Sequence, residues 1–165
     1  KASILIKQTI VIITLCMLAM SYQSCNEKPK EKETPVDKLD LAIAKAEIEE
    51  ANSLVAGFVA TGDSVALANS FTFDAQFMSA GAPVVKGRAN IQSALSGILE
   101  SGVTGIKHRT EDVFGTEALL AEVGELTLFA GDEAIAEEKY IVLWKKEDGK
   151  WKLFRDIFNS NLPTE

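Results

Sequence analysis

The sequence predicts an α+β domain. Segments with helical spacing come first, long segments of alternating apolar and polar residues come after, and tight glycine turns join the latter. Pro35 and Asp37 mark the first helix start. Apolar residues then recur at Leu39, Ile43, Ala46, Ala51, Leu54, Val55 and Phe58, with Lys45, Glu47, Glu49 and Glu50 mostly opposite. Gly62 ends that helix, and Asp63 can cap a short second one through Ala66, Leu67 and Ser70. Phe71 to Met78 reads as a strand entry, and Ser79-Ala80-Gly81-Ala82-Pro83 as a turn. A third helix follows Gly87-Arg88, with Ile91, Ala94, Leu95, Ile98 and Leu99 on one face and Gly102 at its close.

Four strands complete the domain: Ile106–Phe114, Ala118–Phe129, Ala134–Trp144 and Trp151–Phe158. Gly131-Asp132 and Asp148-Gly149 supply hairpin turns between the last three. Alternation in the second strand breaks near Gly124-Glu125. In the third, Tyr140, Val142 and Trp144 share a face.

The first 36 residues form no part of this domain. Lys1 and Lys7 precede an apolar run from Ile10 to Met20, broken only by Thr14 and too short to span a bilayer as a helix. Basic residues, a short apolar stretch and then small polar residues read as a signal peptide over 1–25, directing export. Ser24-Cys25 resembles the processing site of a bacterial lipoprotein, with Cys25 as the lipidated residue, although Tyr22 stands where the consensus has Leu. Two alternatives stay open: cleavage after Ala19-Met20-Ser21 and an uncleaved anchor. Any of the three places the protein outside the cytoplasm, at the periplasm or cell surface. Residues 26–36, NEKPKEKETPV, read as a charged tether, leaving a domain over 37–163.

Composition removes several function classes. The formal net charge is −7, and Lys1 and Lys7 lie in the leading segment, so the domain is more acidic still. Acidic chains repel phosphate backbones, which argues against nucleic acid. Cys16 and Cys25 are the only cysteines and His108 the only histidine, so the domain holds no disulfide framework and no structural zinc site. Carboxylate-only binding of Ca²⁺ or Mg²⁺ stays open, but no loop of the D-x-[DN]-x-[DN]-G kind is present. No nucleophile elbow, phosphate loop or dinucleotide fingerprint occurs. No cofactor and no metal is therefore expected.

The segment YIVLWKKEDGKWKLFRDIFNSNLP, Tyr140 to Pro163, resembles the C-terminal hairpin of the nuclear transport factor 2-like superfamily, in particular its SnoaL-like branches of unknown function. Three landmarks agree in order: Gly62-Asp63 between the first helices, Phe71-Thr72-Phe73-Asp74-Ala75, and Gly87-Arg88 before the third helix. The resemblance covers residues 38–163. It implies a cone, in which three N-terminal helices pack on a strongly bent, mostly antiparallel sheet and leave an apolar cavity open at one end. It also implies a homodimer through the sheets. Members include ketosteroid isomerase and other enzymes, while many only bind or scaffold. Aligned on these landmarks, the general-base Asp of ketosteroid isomerase falls on Ser79 and its oxyanion-hole Tyr near Val55, and neither side chain does that work.

Three titratable residues are catalytic candidates. Asp156 lies between apolar strand residues, with Phe154 and Phe158 on its own face, where a carboxylate is costly unless paired. It is read as a ligand or proton-transfer group, or as the partner of Arg109 or backbone amides. Asp74 is read as a pocket carboxylate or as a turn cap. His108 and Arg109 are adjacent strand residues, so only one faces the cavity; His108 is read as a proton-transfer group or as an exposed histidine. Phe77, Met78, Tyr140, Trp144 and Phe158 are candidate pocket walls or plain core, and Asn159 a candidate amide at the pocket mouth. Three functions follow: a surface-tethered domain holding a small apolar or amphipathic molecule, a cofactor-free isomerase, lyase or hydrolase, or a dimeric interaction domain without ligand.

Overall fold

A computed structural model describes residues 39–162. The signal segment, the tether and Cys25 lie outside the described residues. Among the described residues no helix is long and apolar enough to cross a membrane.

Helix α1 spans Leu41–Thr61. It starts later than Pro35 and Asp37 suggested, because Asp40 is the residue whose carboxylate accepts from the free N–H groups of Ala42 and Ile43, at 2.9 and 3.3 Å. Gly62, in the left-handed conformation at φ 67°, ends it. The inward face differs from the expected one. Ala44, Ile48, Asn52, Val55 and Val59 are buried, whereas Ile43 and Leu54 are exposed. A polar residue in the middle of the inner stripe hid its phase, and what buries Asn52 is described below. Asp63 caps α2, Ser64–Asn69, through the N–H of Ala66 at 2.9 Å, as expected.

Strand β1 (Phe71–Ser79) and the two-residue β2 (Val85–Lys86) come before helix α3, Arg88–Glu100. The third helix is thus separated from the first two by part of the sheet. Strands β3 (Gly105–Thr116), β4 (Leu119–Ala130), β5 (Glu133–Glu147) and β6 (Lys150–Ser160) follow; β3, β5 and β6 are longer than their sequence patterns showed, and β4 is shifted by one residue at the expected length. All six strands form one sheet in the order β2-β1-β6-β5-β4-β3. Neighbours are antiparallel except β1 and β6, which run parallel. Asp148 and Gly149, both at positive φ, make the two-residue turn from β5 to β6.

Four pairings carry a register shift. Such shifts bend a strand and re-aim its side chains. The shift between β5 and β6 is the one that matters for the site. Leu143 opposes Arg155 and Trp144 opposes Leu153, which leaves Phe154 as the extra residue. Phe154 therefore does not share a face with Asp156. Its ring lies under Lys145 and Arg155, at 3.8 and 3.6 Å. The inward set on β6 is Trp151, Leu153, Asp156 and Phe158. The core lies between this inner sheet face and the helices, around Ile48, Ile91, Leu120 and Trp144.

Candidate functional site

Between the helices and the inner sheet face lies a cavity of about 120 Å³. Val55 and Val59 of α1, Leu67 of α2, and Leu95, Ile98 and Leu99 of α3 form an apolar wall. Across from it, the strands contribute the polar groups: His108, Glu138, Tyr140 and Asp156, with Asn52 of α1 beside them.

Strand alternation explains which side chains arrive there. On β4 the inward positions are Leu120, Glu122, Gly124, Leu126 and Leu128. Register then sets three cross-strand rows. His108, Leu126 and Glu138 form one; Thr110, Gly124, Tyr140 and Phe158 the next; Glu122, Val142, Asp156 and Phe77 the third. Of the neighbours His108 and Arg109, it is His108 that turns inward. Arg109 points away and pairs with Glu111 and Glu125 at 3.0 and 2.5 Å, so it does not partner Asp156.

Glu122 is completely buried and organises the wall behind the cavity. Its Oε1 accepts from Asn52 Nδ2, Thr110 Oγ1 and Tyr140 O–H, each at 2.7 Å, and its Oε2 accepts from Trp144 Nε1 at 2.9 Å. A carboxylate has acceptor sites for all four donors. Asn52 is therefore buried in α1 as a donor to Glu122. Gly124 makes the Tyr140 contact possible: a Cβ there would stand 2.5 Å from the Tyr140 oxygen and 2.6 Å from the Arg109 carbonyl oxygen. The ring lies in the space a side chain would fill.

Asp156 differs from Glu122. Enclosure by the protein, and after it the charges of Glu122 and Glu138, push its carboxyl up to about 7, and no hydrogen bond or cation acts against them. Burial raises Glu138 as well. Burial lowers His108 to about 4, so its imidazole is neutral near pH 7. The ring stands edge-on to Tyr140 at 5.7 Å, and its buried Nδ1 has no hydrogen-bond partner among the described residues. Tyr140 is raised by burial and by Glu122, and keeps its proton.

Of the residues singled out in the sequence, Asp156, His108, Phe77, Tyr140 and Phe158 line the cavity. Asp74 does not. It is exposed and accepts from Thr72 Oγ1 at 3.1 Å, because β1 turns Phe71, Ala75 and Phe77 inward instead. Met78, next to Phe77, points to the other face. Trp144 is buried in the wall with its N–H on Glu122, outside the cavity lining. Asn159 is exposed, since the inward position beside it belongs to Phe158. Val55 lines the cavity, and Ser79 ends β1 opposite Phe158. Sequence reasoning missed Glu122, Glu138 and Asn52. The inward phase of β4, set by Leu120, Leu126 and Leu128, was the signal for Glu122. Among the described residues no three His, Cys, Asp or Glu side chains converge as a metal site.

No protein-family model matches the chain. No curated protein matches it in sequence. Solved structures do match in fold. A protein of unknown function with a cystatin-like fold from Nostoc punctiforme superposes with a TM-score of 0.64 at 17% identity, over 75% of this chain and 95% of that one. A nuclear transport factor 2-like protein with a cystatin-like fold from Novosphingobium aromaticivorans gives 0.63 at 16%, over 75% and 86%. A ketosteroid isomerase-like protein from Erwinia carotovora gives 0.59 at 18%, over 72% and 96%. The described chain has the nuclear transport factor 2-like, cystatin-like fold.

Proposed function

We propose that the domain binds one small, mostly apolar molecule in its cavity, with the polar end of that molecule against Asp156 and His108. The observation that carries this reading is a cavity with one apolar wall and, opposite it, the Asp156 carboxyl and His108 Nδ1 without partners among the described residues. Ligand sites have that make-up: apolar lining with few, placed polar groups. The space suits about one ring, since an apolar cavity of roughly 150 Å³ takes a benzene. A thermal-shift screen of ring-sized lipophiles tests it. A ligand at 100 times its Kd stabilises the fold by about 2.7 kcal/mol. Unchanged melting across the whole set would count against binding.

A second reading, a cofactor-free acid–base enzyme, is favoured by Asp156 alone. A carboxyl held near 7 takes up and releases protons at neutral pH. His108 is then a neutral polar neighbour, and the Tyr140 O–H is committed to Glu122. Turnover of any substrate would rise through a limb near pH 7, and Asp156→Asn would remove it. Ketosteroid isomerisation is not proposed, with Ser79 and Val55 where that chemistry needs a general base and an oxyanion-hole donor.

The basic and apolar leading segment and Ser24-Cys25 support export and tethering through Cys25. Metabolic labelling with a fatty-acid analogue should mark the protein and fail on Cys25→Ala; equal labelling of both would remove the anchor. The apolar stripe of Val123, Ile141 and Ile157 on the outer sheet face supports a second copy of this chain as partner.

A further inference from the structure

We infer that the cavity selects a cation: a small apolar molecule that carries an ammonium group, its hydrocarbon part among the helix side chains and its nitrogen against Asp156. The inference deepens the ligand-binding reading and rests on it.

The charges around the cavity are of one sign. Asp156 and Glu138 line it. Glu122 lies in the same cross-strand row as Asp156, with only Val142 between them. The remaining polar lining is Asn52, His108 and Tyr140, so among the described residues no lysine or arginine lines the space. Three cations of these strands are engaged elsewhere. Arg109 holds Glu111 and Glu125, Arg155 lies on Phe154 and donates to the Asp74 carbonyl, and Lys139 reaches the Ser160 carbonyl.

The groups that face Asp156 are Glu122 from β4, Glu138 and Tyr140 from β5, and His108 from β3; β1 offers Phe77 and the helices Asn52. His108, lowered by burial, is neutral at the pH where this matters, so nothing among the described residues answers a charge on Asp156. An enclosed carboxyl beside two others is unfavourable until a cation arrives. An anion would be repelled, and a neutral ligand would leave the field unanswered. A bare metal ion does not suit the place either, because the carboxyls do not converge and the opposite wall is hydrocarbon. An ammonium on an apolar body satisfies both walls.

The arrangement sets a proton balance. Below about pH 7 Asp156 holds a proton. When an ammonium docks, the carboxyl gives that proton to the buffer and the ion pair takes its place. Above that pH the carboxylate is already formed and no proton leaves.

Calorimetry of the full chain with benzylamine, benzyl alcohol and benzoate, three probes of nearly equal shape, tests this. Benzylamine should bind at least about tenfold tighter than the alcohol, equivalent to about 1.4 kcal/mol, and benzoate should not bind measurably. Titrations in buffers of different ionisation enthalpy should show release approaching one proton per benzylamine at about pH 6 and almost none at about pH 8. Asp156→Asn should abolish the preference, so that benzylamine and the alcohol bind that variant within about twofold of each other. Glu138→Gln, which leaves Asp156 in place, should cut the preference for the amine over the alcohol about threefold. Equal affinity for amine and alcohol, tight binding of benzoate, or no proton release overturns the cation and leaves the cavity reading standing. Failure of all three probes to bind strikes the cavity reading itself.

Discussion

His108 and Asp156 line the same cavity and titrate in opposite senses. The fold holds Asp156 near 7 against an ordinary 3.8, so it favours the protonated carboxyl, and the stability this gives is lost as pH rises from about 4 to 7. It holds His108 near 4 against 6.5, so it favours the neutral ring, and that stability is lost as pH falls from about 6.5 to 4. The two slopes nearly cancel across one window. Asp156→Asn should expose the histidine: its stability relative to wild type falls by roughly 2–3 kcal/mol between pH 6.5 and 4.5. His108→Leu should do the reverse, losing stability relative to wild type as pH rises over the same range. Urea unfolding at several pH values measures both, and curves parallel to wild type would refute the pairing. Asp156 was legible in the sequence as a carboxylate between apolar strand residues, and His108 as the one histidine, on a strand that could leave it exposed. Their shared place was half legible, because alternation put His108 or Arg109 inward without saying which. Glu122 was not recognised because its four donors come from α1, β3 and β5, and their approach depends on the register.

At the scale of elements, Gly124 governs how β4 and β5 meet. It faces Tyr140 in register, and the Tyr140 ring occupies the side-chain space of Gly124. Gly124→Ala places a methyl against both the Tyr140 oxygen and a backbone carbonyl, and only one of them can swing away. We expect a loss of roughly 1–3 kcal/mol in denaturant unfolding, with protection of the Trp144 indole N–H lost in hydrogen exchange. An alanine variant as stable as wild type would show that the ring does not need the gap. The sequence showed the strands and their turns because period-two spacing and Asp148-Gly149 are local signals. It misplaced the buried stripe of α1, because Asn52 interrupts that stripe for a partner 70 residues on. It also misplaced Phe154, because a bulge changes the face of later residues without altering composition.

At the scale of the molecule, two surfaces of the sheet have different fates. The inner face meets the helices. The outer face leaves Phe114, Ile141 and Ile157 exposed, at 49%, 48% and 42%. If a second copy covers that face, Ile141→Glu should convert a dimer into a monomer in sedimentation velocity without changing the far-ultraviolet spectrum. A wild-type monomer at high concentration would refute the dimer. The helix-then-sheet layout was readable from the start, but the neighbour relation of β1 and β6 was not, since parallel pairing of distant segments leaves no turn between them.

That relation also fixes when the domain can form. β6 sits inside the sheet between β1 and β5, yet it is the last strand in chain order. A nascent polypeptide that has emerged only as far as Glu147 possesses two disconnected sheet fragments, β2-β1 and β5-β4-β3, and no central strand to join them. Contacts so far apart in sequence form slowly, and the apolar edges stay open meanwhile. Assembly is thus postponed until translation has delivered nearly the whole domain.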